Sequence, residues 1–311
     1  MKRFLVSCVA GGILLFILLS VILIVRVILL QDNVCEAFKL PTDVDTVLLG
    51  DSHVGRSTAE VLQFHNRCQW NDSTPIIFSR IRLYEFARVG SLKQVKTVIV
   101  NVGIHSTGGY AQEALDRLFY THLPWVWRYV GLFPSSPISL TNIDKFVEPQ
   151  IAPTINGGKP NNDIPLCERT AAEHLKARQA IEKNHIDFML KSSYVMPPIK
   201  MIQQDLSAMK QFCAERDIRF VVFSAPVTQE YVEMLPAWMH ENMAVIQAWL
   251  RNEGFEYYDY RRVMADESFD DLDHLRVTGA KLFTERFFKD LGLYTPALDD
   301  LISPSANEEG R

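Results

Sequence analysis

The sequence has no excess of basic residues. It contains 32 lysines and arginines against 37 aspartates and glutamates in 311 residues, which gives a formal net charge of −5. Proteins that bind a nucleic-acid backbone rely on clustered positive charge, so this balance argues against nucleic acid as a partner. Apolar residues make up 48% of the chain and charged residues 22%, which excludes a disordered protein.

Cysteine is also scarce. Five cysteines in a chain of this length do not make a disulfide framework. Their spacing fits no zinc pattern such as paired Cys-x-x-Cys. One or two disulfide bridges could form outside the cytoplasm, and the spacing does not choose between the pairs.

The N-terminus contains one long apolar run. From Phe4 to Val25 the chain has 22 residues without a charge, and as a helix this run would be about 33 Å long, enough to cross a bilayer. No small-residue cleavage site follows it, which favours an uncleaved transmembrane anchor over 1–30 rather than a signal peptide or a buried core helix. The short flank of Lys2 and Arg3 favours a cytoplasmic N-terminus. We therefore predict a single-pass protein of a cell inner membrane, with most of the chain in the periplasm.

The rest of the chain alternates between short apolar runs and helical stretches. Strands are predicted at Val44–Leu49, Pro75–Phe78, Thr97–Val100, Arg219–Phe223 and Phe255–Tyr258. Helices are predicted at about 82–93, 198–216, 230–252 and 277–291. Near-continuous apolar strands separated by helices indicate an α/β fold with a parallel sheet covered on both faces. We predict a linker over 31–43, one domain over 44–295 and a polar tail over 296–311.

A segment without a clear strand, about 108–197, interrupts this alternation after the third strand. It is rich in aromatic residues and proline. An insertion at that point would lie over the carboxyl edge of the sheet, where open α/β folds bind ligands. It is predicted to be either a lid or substrate platform, or a helical subdomain that only packs.

Two short motifs bring reactive side chains to the same edge. The first strand runs directly into Gly50-Asp51-Ser52, which places the Ser52 hydroxyl beside the N-terminus of a helix. Before the last helix, Asp271 and His274 are three residues apart, so a turn there lets the carboxylate orient the imidazole. Ser52 could then attack a carbonyl carbon while His274 takes its proton.

Helix capping is the structural alternative for both motifs. Asp51 or Ser52 would cap the helix after the first strand, and Asp273 would cap the last helix, leaving His274 an ordinary surface histidine. His53 is expected near the same pocket, as a neighbour rather than a catalyst, because one base already accounts for the chemistry. Arg80 and His105 are expected there as well.

The two motifs, in this order and at these places, resemble the SGNH/GDSL hydrolase superfamily, in particular its membrane-anchored bacterial branches. The resemblance extends from about residue 45 to residue 291. It implies a three-layer α/β/α flavodoxin-like sandwich with a five-stranded parallel sheet, and ester hydrolysis or acyl transfer, often of acetyl groups on glycans. Position by position, Ser52 matches the nucleophile, His274 the base and Asp271 its orienting acid. The implied partners are an acylated glycan or another envelope ester, besides the lipid bilayer around the N-terminal helix.

The sequence departs from the superfamily's pattern at two places. The third block reads Asn101-Val102-Gly103-Ile104-His105, with His105 where the superfamily's oxyanion-binding asparagine stands. No second-block glycine is evident, which leaves the backbone amide of Ser79 as a substitute. Ser79, Gly103 and His105 are therefore the candidate oxyanion and substrate-binding residues. Loss of one donor costs about 3–4 kcal/mol of transition-state stabilisation, so the altered block also favours an alternative function, a non-catalytic membrane-tethered binding protein.

A metallophosphoesterase is a further alternative. The segment Gly50-Asp51-Ser52-His53 contains the Asp-x-His opening of calcineurin-like enzymes. Those enzymes need later Asn-His and His-x-His groups to hold two metal ions. No His-x-His occurs in the chain, and we therefore predict no metal ligands and no cofactor.

Overall fold

Five parallel strands form the central sheet of the computed structural model. They are β1 (Thr46–Gly50), β2 (Arg67–Asn71), β3 (Thr97–Asn101), β4 (Arg219–Ser224) and β5 (Glu256–Asp259). Their order is β2-β1-β3-β4-β5, one of the two common orders of doubly wound α/β folds. Val98 of β3 lies opposite both Val47 of β1 and Phe220 of β4. The α/β class and the parallel sheet predicted from the apolar runs are confirmed.

The structure describes residues 39–40, 42–51, 53–54, 67–71, 76–107, 176 and 199–293, with the backbone alone at 67–71 and at 105. The predicted anchor at 1–30, Ser52, the insertion at 108–197 apart from residue 176, and the tail at 296–311 lie outside these residues. Among the described helices, none combines the length and the apolar character needed to cross a membrane.

Helices cover both faces of the sheet. They are α1 (Ile76–Arg88), α2 (Ile199–Ala214), α3 (Gln229–Met234), α4 (Ala237–Asn252) and α5 (Val277–Asp290). Successive strand side chains point to opposite faces, so Val47 and Val98 pack with α1, α2 and α4. Leu48 and Ile99 pack on the other face, against phenylalanines of α5. Burial on both faces is the reason that these strands have near-continuous apolar sequences.

The second strand is not where the sequence predicted it. Within the predicted run Pro75–Phe78, residues 76–78 are helical instead, because α1 begins at Ile76 and ends at Arg88. The helix predicted at 82–93 therefore begins too late. A short apolar run cannot be assigned to a strand or a buried helix by its pattern alone. The actual β2 is an edge strand that pairs only with β1. Its sequence, RCQWN, has no apolar run that would have revealed it.

One predicted helix is divided into two. The stretch 230–252 contains α3, which ends at Met234, and α4, which begins at Ala237. Pro236 disfavours the helical conformation at Leu235, and Leu235 accordingly has an extended backbone. Pro236 itself stands at the N-cap of α4, where a missing N–H costs nothing.

Gly50, the last residue of β1, permits a close approach between the turn after β1 and the end of β3. A Cβ atom at this position would lie 2.5 Å from Cγ2 of Val54 and 2.9 Å from Cβ of Asn101. The turn after β1 can therefore fold down onto the end of β3 only because residue 50 has no side chain.

We expect Gly50→Ala to destabilise the protein by about 1–3 kcal/mol, because the new methyl group overpacks this contact. Denaturant unfolding of the purified protein measures the loss. The double variant Gly50→Ala/Val54→Ala removes Cγ2 of Val54, and it should be less destabilised than the sum of the two single variants. Additive losses would contradict the close-contact explanation.

Candidate active site

Two loops meet at the carboxyl edge of the sheet. One is the turn after β1, and the other is the segment 270–275 that leads into α5. Thr228 fastens the second loop, because its N–H and its Oγ1 both donate to the carbonyl of Leu272, at 2.9 and 2.7 Å. Side chains more than two hundred residues apart in the sequence therefore lie together in one buried cluster.

Asp271 builds the turn that orients His274. Its Oδ1 accepts hydrogen bonds from the backbone N–H of Asp273 at 3.1 Å and of His274 at 2.7 Å. The same carboxylate lies 3.0 and 3.1 Å from Nδ1 of His274 through its two oxygens. The structure thus brings together the two residues that the Asp-x-x-His spacing predicted to pair.

Asp273 contacts two imidazoles at once. Its Oδ1 lies 2.9 Å from Nδ1 of His274, and its Oδ2 lies 3.3 Å from Nε2 of His53. The rings of His53 and His274 stack with their centroids 5.1 Å apart and an interplanar angle of 18°. Asp273 is only 1% exposed, so this carboxylate is held among protein groups rather than in water.

His53 is fixed from its other side by Asp51. The Oδ1 of Asp51 accepts from the backbone N–H of His53 at 2.9 Å and lies 3.0 Å from its Nδ1. Asn101 donates from Nδ2 to the same oxygen at 3.1 Å, and its Oδ1 accepts from the N–H of Ala225 at 3.0 Å. The imidazole of His53 therefore lies between two carboxylates.

The charges of this cluster stabilise one another. Burial lowers the pKa of His274, but the carboxylates of Asp273 and Asp271 outweigh burial and raise this pKa to about 9. Burial also lowers the pKa of His53. The negative charges of Asp51 and Asp273 outweigh this effect and raise the pKa of His53 well above its ordinary value. Burial raises the pKa of Asp273, whereas the charges of His274 and His53 hold it well below its usual range. The cluster therefore favours the charged form of each ring and the ionised form of Asp273.

Tyr231 of α3 adds a buried hydroxyl beside the cluster. The side chain is fully buried, and its hydroxyl makes no hydrogen bond within the described part of the chain. Burial, followed by the negative charges of Asp273 and Asp51, raises the pKa of the phenol well above its usual value. Tyr231 therefore stays neutral within the electrostatic influence of these carboxylates.

The other predicted site residues lie in different surroundings, and one of them is not described by the structure. Ser52 lies outside the described residues, although its neighbours Asp51 and His53 belong to the cluster. Gly103 is buried just after β3, and the backbone of His105 lies in the 3-10 turn Ile104–Thr107. Ser79 is buried within α1 rather than after a strand, and the backbone N–H of a fourth helical residue normally bonds within the helix.

Two further expectations can be compared with the contacts. Arg80 was expected near the pocket, but its guanidinium donates to Asp205 at 2.9 Å and to the hydroxyl of Tyr84 at 3.0 Å, which joins α1 to α2. Asp273 does not cap α5, whose N-cap is Arg276 without a side-chain bond. The capping alternative for Asp273 is therefore wrong.

A metal ion is a possible occupant to test against the geometry. Among the described residues, one group could hold a metal ion: the possible ligand atoms of His53, Asp273 and His274 lie within 4.8 Å of one another. An imidazole binds a metal in its own ring plane, whereas these two rings lie stacked and nearly parallel. Nδ1 of His274 is also directed at carboxylates. The orientation favours an ion-paired cluster over a shared metal.

The sequence interpretation missed the roles of four residues. His53 was expected to be only a neighbour and Asp273 only a cap, and Asn101 and Tyr231 were not singled out for any contact. Asn101 had a usable signal, since it ends a buried strand beside Gly50-Asp51 in a parallel sheet. Tyr231 had none, because its position depends on how α3 packs.

No protein-family model matches the chain, and no curated protein matches it. The resemblance to the SGNH/GDSL superfamily therefore stays an expectation from the two sequence motifs.

We expect Asn101→Asp to destabilise the protein by about 2–4 kcal/mol at pH 7. Aspartate keeps the acceptor for the N–H of Ala225 but replaces the donor to Asp51 with a second carboxylate. Repulsion raises the pKa of one of the two carboxyls, so the loss should shrink as the pH falls below about 5. Denaturant unfolding at several pH values measures this. The control Asn252→Asp makes the same change at the exposed end of α4, and an equal loss there would contradict the explanation.

Proposed function

We propose that the protein is a serine esterase or O-acyltransferase, with Ser52 as nucleophile, His274 as general base and Asp271 as its orienting acid. The observation that carries this proposal is the position of His274. Its Nδ1 is directed at carboxylates about 3 Å away, which leaves Nε2 as the nitrogen that can exchange a proton with a nucleophile. Its ring stacks on that of His53, the residue next to Ser52 in the chain.

We also propose that the fold is the three-layer flavodoxin-like sandwich of the SGNH type. The strand order β2-β1-β3-β4-β5 supports it, as do the apolar clusters on both faces of the sheet. In such folds, ligands bind outside the carboxyl ends of the strands, where the order of the strands reverses. That point lies between β1 and β3, and the cluster around Asp51 and Asn101 occupies it.

The proposed reaction proceeds through an acyl-enzyme. As Oγ of Ser52 attacks the ester carbonyl carbon, its proton passes to Nε2 of His274 and the carbonyl oxygen becomes an oxyanion. The tetrahedral intermediate collapses, the ester C–O bond breaks, and His274 returns the proton to the departing alkoxide. Water or a second alcohol then attacks the acyl-enzyme by the same steps, and this acceptor alone distinguishes hydrolysis from transfer.

Backbone amides are the best candidates to stabilise the oxyanion. Nδ2 of Asn101 carries two N–H donors, and one of them is engaged by Asp51, so at most one could face an oxyanion. The loop after β3, with Gly103 and the His105 backbone, stands at the carboxyl edge and is better situated than Ser79, which lies inside α1. Preorganised N–H donors at this position would stabilise the oxyanion in place of the asparagine that the third block lacks.

The proposed substrate and location follow from the sequence. We propose an acylated glycan or another ester of the cell envelope as substrate, and an anchor at 1–30 that holds the domain on the periplasmic side of the inner membrane. The 22-residue apolar run and the short basic flank support the anchor. A non-catalytic binding protein and a metallophosphoesterase are the competing functions.

We expect Ser52→Ala to lower the turnover of a small acetyl ester by about a thousandfold or more, since the nucleophile is removed. Labelling by a serine-reactive fluorophosphonate should disappear in the same variant, and mass mapping should place the wild-type adduct on Ser52. The control Ser207→Ala, on the exposed side of α2, should retain both properties. A folded Ser52→Ala protein with normal turnover would reject the proposal, and activity that is lost only with a chelator would favour the metallophosphoesterase.

We expect kcat/KM to rise with pH, about tenfold per pH unit, until it levels off near pH 9. The pKa of His274 is raised to about 9, so the ring is protonated at pH 7 and becomes a base only as the pH rises through that value. The raised pKa also means that the stabilisation from the charged ring is full below about pH 6.5 and is lost as the pH approaches 9. Circular dichroism at each pH therefore serves as the folding control. A profile that is flat above pH 7 would contradict the assignment of His274 as base.

A further inference from the structure

The residue next to the proposed nucleophile is built into the charge cluster of the proposed base. His53 is 2% exposed and lies between Asp51 and Asp273, at 3.0 and 3.3 Å. A buried neutral histidine needs an acceptor for only one ring N–H, whereas here each ring nitrogen lies beside a carboxylate. The arrangement therefore calls for a role for His53.

Asp271 and Asp273, the two carboxylates beside His274, have different contacts. Oδ1 of Asp271 accepts from two backbone N–H groups, so Asp271 shapes the turn as well as contacting the ring. Asp273 directs one oxygen at His274 and the other at His53. Its position against His274 therefore depends on a partner from the turn after β1, which is the segment that also contains Ser52.

We propose that His53 is a positioning residue for the catalytic base: it holds the bridging carboxylate of Asp273 against His274 and, through its own charge, opposes the protonation of His274. This inference rests on the proposed function for its catalytic meaning. The link also joins the proposed base to the loop of the proposed nucleophile, so that the two halves of the site are set in one arrangement.

The groups that face these rings give the expected signs. His274 faces Asp271 and Asp273 from its own loop and the His53 ring from the turn after β1. Asp51 and Asp273 face His53, and α3 contributes Tyr231, whose phenol is neutral. Removal of the positive charge of His53 makes His274 easier to protonate. Removal of the negative charge of Asp273 makes it harder.

The test is therefore a pair of variants that should act in opposite directions. In His53→Gln the side chain stays polar beside Asp273 but carries no charge, and the titration of His274 should move to higher pH by about one unit or more. In Asp273→Asn it should move to lower pH by a similar amount. A merely structural role for either residue would not produce opposite shifts.

Two readouts on the full chain follow the titration. Histidine-ring NMR, with the His274 signal identified by its loss in His274→Gln, needs no enzyme activity. The pH profile of ester turnover reports the same group in the working site. Asp205→Asn, which removes a buried carboxylate paired with Arg80 between α1 and α2, is the matched control and should leave the titration of His274 unchanged.

The double variant His53→Gln/Asp273→Asn keeps the test decisive if a single variant does not fold, because it removes one charge of each sign. Asp273 lies closer to His274 than His53 does, so the midpoint should fall below that of the wild type but stay above that of Asp273→Asn. Shifts in one direction only, or none, would overturn the role of His53 whatever the turnover. An absence of turnover and labelling in the wild type would instead overturn the serine chemistry, whatever the titration.

Discussion

The side chain of Asn101 joins the carboxyl ends of three neighbouring strands. Asn101 itself ends β3, its Nδ2 donates to Asp51 after β1, and its Oδ1 accepts from Ala225 after β4. Gly50 allows this arrangement, because a side chain there would push the turn away from β3. Asp51 in turn fixes His53. The geometry of the whole cluster therefore depends on one amide that satisfies two loops.

Buried charges of this number are costly to desolvate, and they persist in a folded protein when each one is paired. Here each imidazole lies beside two carboxylates, and Asp273 belongs to both pairs. The sheet needs no such cluster for its stability, since apolar layers cover both of its faces. Strongly shifted pKa values at the carboxyl edge of an α/β sheet are instead typical of functional sites.

The cluster also weighs against two of the alternatives from the sequence. A capping function for Asp273 conflicts with its place between two rings and with Arg276 at the N-cap of α5. A shared metal conflicts with the stacked orientation of the same rings. An imidazole oriented by a carboxylate beside a strand-to-helix turn is consistent with the serine chemistry that we propose.

The sequence by itself determined the features that depend on neighbouring residues. The apolar runs of β1, β3 and β4 predicted the buried strands, because a strand covered on both faces must be apolar throughout. The spacing of Asp271 and His274 predicted their contact within one turn. Only the tertiary structure decided the remainder. The edge strand β2 has no apolar run that marks it in the sequence. The run at Ile76 becomes a helix because packing overrides a short ambiguous pattern. The contact of Asp273 with His53 joins distant loops through the order of the strands, which no local spacing encodes.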